Sequence, residues 1–156
     1  MFESTNNHLL HREAIDLVVS ALPNSVCIDA LAGYDSPYHV EWAGLKFLVK
    51  VARPSKKASQ DRAKWFYALR ENDHKAADFF IFFCLIESQV EAVYAIPRPF
   101  VPRVYVTITR LGRNMRYDYF RTTVQDLASK IQEVKAKMPK LAKIFKEVKK
   151  LEKSEC

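Results

Sequence analysis

Glycine is scarce in this chain. Only three of the 156 residues are glycine, and neither GxxxxGK nor GxGxxG occurs. Loops that cradle phosphates through backbone amides need glycine where the backbone approaches the ligand closely. The sequence therefore argues against a glycine-rich phosphate loop.

Long apolar segments are missing too. No run reaches the roughly 18 apolar residues of a membrane span, and the first residues, MFESTNNHLLHREAIDL, lack the basic start and apolar core of a signal peptide. We expect a cytoplasmic protein with no membrane partner. The three cysteines, Cys27, Cys84 and Cys156, are far apart, which favours reduced thiols. Cys27 and Cys84 lie in apolar runs and are predicted to fill the core.

Positive charge is unevenly distributed. Residues 1–55 carry four Lys/Arg and six Asp/Glu, whereas residues 56–156 carry 21 Lys/Arg and 12 Asp/Glu. A net charge of +7 concentrated in this way suits a polyanionic partner. A solvated basic surface is the alternative.

The pattern of apolar residues predicts an α/β fold, a mixed sheet flanked by helices, with a C-terminal helical extension. A first helix covers residues 8–22, and a second is predicted within SKKASQDRAKWFYALREN. The predicted strands are SVCIDAL, the two arms of a hairpin, ADFFIFFCLI, VEAVYAIP and RVYVTITRL.

The hairpin lies within SPYHVEWAGLKFLVKVARPSKK. With Ala43-Gly44 as its two-residue turn, Trp42 pairs with Leu45 and His39 with Leu48. Strand alternation then sorts the side chains into two faces. One face carries Val40, Trp42, Leu45, Phe47, Val49 and Val51, and the other carries His39, Glu41, Lys46, Leu48 and Lys50.

The C-terminal segment begins with Thr122 and Gln125 at capping-box spacing. Its apolar residues form a heptad seam of Val124, Leu127, Ile131, Val134, Met138, Leu141, Phe145 and Val148. Pro139 predicts two helices rather than one straight rod. We divide the chain into a domain of residues 1–121 and a basic amphipathic extension of residues 122–156. The seam, residues 124–148, either packs on its own domain or recruits a second copy or another protein.

The run of elements from residue 8 to residue 121 resembles the PD-(D/E)XK nucleases, the restriction-endonuclease-like domains. It comprises a helix with a glutamate, a hairpin, a strand that ends in Lys50, and the segments VARPSKK, WFYAL, ADFFIFFCL and VYAIP. The resemblance implies a Mg²⁺ site made of carboxylates, which activates water beside the lysine. It also implies catalytic roles for Lys50 and the helix glutamate, Glu13.

Two positions depart from that pattern. The hairpin register places His39 where the family has an aspartate and Leu48 where it has an acidic residue. Leucine cannot bind a metal, so we expect an eroded site, inactive or impaired, that needs no cofactor. An active Mg²⁺-dependent endonuclease remains the alternative, with Asp35, Glu41 or His39 as metal ligands around Lys50.

Basic residues follow the lysine strand and recur near residue 112. They are predicted to contact nucleic acid, with DNA the expected partner. An adaptor that works through the heptad seam is a third hypothesis. The predicted contacts are Arg53, Lys56, Lys57, Arg62, Lys64, Arg110, Arg113 and Arg116.

Overall fold

The computed structural model describes residues 7–28, 38–54, 63–109 and 116–154. Within these ranges the helices are α1 (Asn7–Ala21), α2 (Glu71–Ala76) and α3 (Leu127–Ser154). The strands are β1 (Val26–Cys27), β2 (Val40–Trp42), β3 (Leu45–Ala52), β4 (Lys64–Ala68), β5 (Phe79–Ile86), β6 (Gln89–Pro97), β7 (Tyr105–Thr109) and β8 (Arg121–Thr122). Short 3-10 turns cover Arg98–Phe100 and Asp118–Phe120.

Six strands form one mixed sheet in the order β1-β2-β3-β5-β6-β8. β3 and β5 are parallel, and the other neighbours are antiparallel. β5 lies inside the sheet, and its first seven residues, all apolar, are buried. This burial on both faces follows from the continuous apolar run, because alternate side chains of a strand point to opposite faces. The predicted α/β fold with a mixed sheet and flanking helices is confirmed.

The β2–β3 hairpin has the predicted register. Val40 pairs with Phe47, Glu41 with Lys46 and Trp42 with Leu45. The turn residues Ala43 and Gly44 have φ values of 52° and 78°. Two positive φ values are typical of a type I′ turn, whose twist matches that of the flanking strands.

A separate two-stranded antiparallel ribbon consists of β4 and β7. The prediction of a helix was wrong for residues 64–68, which form β4; residues 55–62 lie outside the described chain. In β4 the side chains of Trp65 and Tyr67 are buried, whereas Lys64, Phe66 and Ala68 are exposed. Trp65 Nε1 donates to the Leu85 carbonyl oxygen at 2.9 Å, so the inner face of the ribbon is fastened to β5.

α1 and α3 supply the rest of the core. Leu10, Ala14 and Val18 form a buried apolar stripe along α1, and Leu22, just after the helix, is buried too. The first part of the C-terminal seam, from the residues just before α3 into the helix, packs against the same core. Of these seam residues, Leu127, Ile131 and Val134 are buried and Val124, Met138 and Leu141 are partly buried. The domain boundary at residue 121 and a partner for residues 124–148 stay predictions.

Two details of α3 differ from expectation. The helix runs through Pro139 without a break, so the predicted pair of helices was wrong. Proline removes one amide donor, and this exposed position tolerates that loss within a long helix. At the start of the helix, the Asp126 amide donates to Thr123 Oγ1 at 3.1 Å, one residue later than the predicted cap of Thr122 and Gln125. No helix in the described ranges is long and apolar enough to cross a membrane.

The two described cysteines differ. Cys84 is buried, as predicted, but Cys27 is exposed on β1, so its assignment to the core was wrong. β1 is a two-residue strand at the edge of the sheet, and both of its side chains remain in contact with solvent. Burial raises the pKa of the Cys84 thiol to about 12, which keeps it protonated and unreactive.

Candidate nucleic-acid interface

A cleft of about 410 Å³ opens beside the carboxyl-terminal half of β3. We call it the basic cleft. α1, the residue before β2, β3 with the residue after it, β4 and the residue before α2 each contribute to its wall. The lining residues are Leu10, His11, His39, Leu48, Lys50, Val51, Ala52, Arg53, Phe66 and Arg70.

Lys50 forms an ion pair with the first turn of α2. Its Nζ lies 3.4 Å from Oδ2 of Asp73, whose side chain is only 3% exposed. The same carboxylate accepts the Arg70 backbone amide at 2.8 Å, and its other oxygen lies 3.7 Å from Arg70 Nε. One carboxylate therefore balances two neighbouring cations, and Arg53 adds a third positive group to the cleft.

Two histidines also line the cleft. His11 Nε2 lies 2.7 Å from the Val49 carbonyl oxygen, and the Val49 amide donates to His39 Nδ1 at 2.9 Å. The rings meet edge to face, with centroids 4.4 Å apart. These bonds satisfy the amide and the carbonyl of Val49, which lies past Phe47, the last β3 residue paired with β2.

The hydrogen bonds also fix the charge state of His39. An amide can only donate, so Nδ1 must be the acceptor and Nε2 carries the proton of a neutral ring. Burial, followed by the charges of His11, Lys50 and Arg70, lowers the pKa of His39 to about 3. His39 is thus uncharged at neutral pH.

The described residues do not fit a hard divalent cation. Among them, no group of three or more His, Cys, Asp or Glu converges so as to hold a metal. His39 presents an N–H rather than a lone pair at Nε2, and the Asp73 carboxylate is already shared by Lys50 and Arg70. Mg²⁺ prefers several oxygen ligands, and Leu48, which lines the cleft, offers none.

The predicted acidic residues have different locations. Glu13 is half-buried on α1 and Glu41 is exposed on β2, and neither belongs to the described lining of the cleft. Glu41 pairs across the hairpin with Lys46. Asp35 lies outside the described residues. Within the described chain, the carboxylate that pairs with Lys50 is that of Asp73. Asp73 was not among the acidic residues predicted from the sequence.

Three of the eight predicted basic contacts lie in the described part of the chain. Arg53 lines the cleft, Lys64 is exposed on β4, and Arg116 lines a second cavity beside β7. Their binding roles stay predictions. Five further predicted contacts lie outside the described residues: Lys56, Lys57, Arg62, Arg110 and Arg113.

Four cleft features escaped sequence reasoning. Arg70 immediately precedes the six-residue helix α2, and Asp73 lies within it, one residue past the segment predicted as the second helix, so the ion pair between Asp73 and Lys50 could not be anticipated. His11 adjoins the apolar stripe of α1, and its position next to Leu10 was an available signal. Phe66 falls within the segment predicted as the second helix, whereas it lies on β4 and is 58% exposed at the rim of the cleft.

Comparison with known proteins supports a nuclease-like fold. The chain is similar to a bacterial homing endonuclease, I-Ssp6803I, with a TM-score of 0.50 and 14% identity; the match covers 90% of this chain and 99% of that one. No protein-family model and no curated protein matches the sequence. At 14% identity the likeness concerns the fold alone. The protein thus has a mixed α/β fold of the nuclease-like class, and membership of the PD-(D/E)XK superfamily stays a prediction.

Proposed function

We propose that this protein binds nucleic acid through the basic cleft, on a nuclease-like fold whose metal site has been lost. One observation carries the proposal: the cleft beside β3 presents Lys50, Arg53 and Arg70 against a single carboxylate. The proposed partner class follows from the fold of the homing endonuclease and from the excess of basic residues after residue 55.

A cleft of this composition suits a phosphate backbone. Arginine and lysine at its rim can neutralise phosphates and release their counterions, so the affinity should fall steeply with salt. Asp73 holds Lys50 and Arg70 in place, which reduces the side-chain freedom that binding would otherwise have to restrict. Such contacts position a nucleic acid without reading its sequence.

Binding is tested by fluorescence anisotropy with labelled duplex and single-stranded oligonucleotides across several salt concentrations. We expect the logarithm of the affinity to fall linearly with the logarithm of the salt concentration. Arg53→Gln should reduce the slope by about 1, because it removes one phosphate contact from the cleft. Arg121→Gln is the matched control, since Arg121 is exposed on β8, three strands from β3 or ~14 Å across the sheet. A wild type that binds no oligonucleotide at low salt would reject the proposal.

Loss of the metal site is tested separately. We expect no phosphodiester cleavage of supercoiled plasmid or single-stranded DNA in Mg²⁺ or Mn²⁺, and no stoichiometric Mn²⁺ binding by calorimetry. Metal-dependent cleavage that is lost in both Lys50→Met and Glu13→Gln would instead establish the active endonuclease, with Asp35 or Glu41 completing its ligands.

A further inference from the structure

The β4–β7 ribbon has an outer face that the basic cleft does not explain. Strand alternation places one set of side chains on this face, and all but the half-buried Thr109 are exposed. We call this surface the ribbon face. It consists of Lys64, Phe66 and Ala68 of β4 and Tyr105, Thr107 and Thr109 of β7.

Two aromatic rings stand at its centre. Phe66 is 58% exposed and Tyr105 is 53% exposed, whereas the buried aromatic side chains of the core are at most 7% exposed. Their rings stack on each other with centroids 5.4 Å apart and an angle of 29° between the planes. Such exposure of a stacked pair leaves a large apolar area in water, which normally marks a binding surface.

Cations lie at both ends of this aromatic pair. Phe66 also lines the basic cleft beside Arg53 and Arg70. Tyr105 lines a second cavity, of about 450 Å³, beside Arg103 and Arg116. The surface is therefore continuous, with the basic cleft at one end, the rings in the middle and two arginines at the other end.

We propose that the ribbon face binds unpaired bases of a single-stranded nucleic acid, while the strand's phosphates follow the cations on either side. Aromatic side chains stack on bases whose faces are free, and those faces are covered by neighbouring base pairs in a duplex. The alternation of cation, aromatic pair and cation matches a strand in which phosphates flank exposed bases. This inference rests on the proposed function and names its preferred substrate class.

A second copy of the chain is a poorer occupant of the same surface. In a two-fold contact each patch meets itself, so the cations at both ends of the ribbon face would approach one another. That repulsion opposes self-association, whereas a polyanion is attracted to both ends.

The experiment compares three labelled oligonucleotides of the same length by anisotropy: a single strand, its duplex, and a single strand in which abasic spacers replace the central bases. We expect the wild type to prefer the normal single strand over the other two. Phe66→Ala and Tyr105→Ala should each weaken single-strand binding about tenfold, within the range measured for removal of a base-stacking ring. Duplex affinity should be unchanged in Tyr105→Ala, because Tyr105 lies outside the basic cleft, and the Arg121→Gln control should bind all three oligonucleotides as the wild type does.

The abasic strand isolates stacking from charge because it keeps every phosphate. Phe66→Ala should cause no further loss with this strand, since the partner of the ring is already gone. Full single-strand affinity in both alanine variants would overturn the inference while leaving the proposed function intact. Failure of the wild type to bind any oligonucleotide would overturn both. A wild-type dimer in light scattering that Phe66→Ala converts to a monomer would assign the ribbon face to self-association and overturn the inference.

Discussion

Strands β5 and β4 are both rich in aromatic residues, but they differ in how many of their faces are buried. β5, FFIFFCLI, is buried on both faces, while β4, KWFYA, is buried on one face only. β5 lies between two partner strands inside the six-stranded sheet, whereas β4 pairs with β7 in the ribbon alone. An aromatic run therefore does not by itself define core, because the layers that cover a strand decide which of its faces meet water.

The two faces of the β4–β7 ribbon should therefore contribute to different properties, the inner face to stability and the outer face to ligand binding. The inner face of β4 is tied to β5, as Trp65 donates to the Leu85 carbonyl and Tyr67 to the Phe83 carbonyl. The outer face has the exposed Phe66 and Tyr105. Changes on the inner face should lower the free energy of unfolding, and changes on the outer face should affect ligand binding.

The largest expected effect is in β5. Phe82 is fully buried and its ring contacts Tyr67 with centroids 4.7 Å apart. Phe82→Ala should lower the free energy of unfolding by about 3–5 kcal/mol, through lost burial and the cavity left behind. Phe66→Ala, the same substitution on the ribbon face, should change it by less than about 0.5 kcal/mol. Urea denaturation of the two variants measures this contrast, and similar losses in both would contradict the division into inner and outer faces.

Much of the fold could be predicted from sequence because single residues or short runs determine it. The hairpin register follows from its two-residue turn, since a slip by one residue would exchange the apolar and polar faces. β5 and β6 follow from their apolar runs and from the ending of β6 at Pro97. Lys50 was placed on the correct face for the same reason, beside Leu48 and His39 in the cleft.

β4 was not predicted as a strand because its sequence lacks the alternation of apolar and polar residues that is typical of a strand with one exposed face. An outward polar residue between Trp65 and Tyr67 would have shown period-two alternation, but Phe66 occupies that position. The flanking alanine, lysine and arginine residues favour helix on propensity alone. The exposed phenylalanine that obscured the strand is also the residue on which the further inference rests.

The ion pair between Lys50 and Asp73 was hidden for a different reason. The two residues are separated by a crossover that contains β4 and the start of α2, and no local pattern relates them. The two residues come together because β3 and β5 are parallel, so the intervening chain has to cross over from the end of one strand to the start of the other. Contacts of this kind depend on tertiary structure and leave no periodic signal.

A smaller effect should appear as a pH dependence from His39. Its pKa is about 3 when folded and close to the ordinary value of 6.5 when unfolded, so the unfolded chain binds the proton between those values. Stability is therefore fully present above pH 6.5 and falls as the pH is lowered through this window, by about 2 kcal/mol between pH 7 and pH 5.

The control is His39→Asn, which keeps an acceptor for the Val49 amide but cannot titrate. Urea denaturation of both proteins from pH 5 to pH 8 gives the difference that is due to His39. We expect the stability of the wild type relative to the variant to decline toward pH 5. A difference that does not vary with pH would show that His39 titrates alike in the folded and unfolded chains.

The smallest expected effect compares two tyrosine hydroxyls on opposite faces of the ribbon. Tyr67 donates to the Phe83 carbonyl oxygen at 2.8 Å and lies 3.1 Å from Cys84 Sγ, in a site where burial raises its pKa. Tyr67→Phe should lower the free energy of unfolding by about 1 kcal/mol, the net contribution of one buried hydrogen bond. Tyr105→Phe makes the same change on the ribbon face, where water replaces any lost bond, and should lower it by less than about 0.5 kcal/mol. Parallel urea titrations measure both. An equal loss in the two variants would mean that the outer face contributes to stability as the inner face does, which would break the contrast between the two faces of the ribbon.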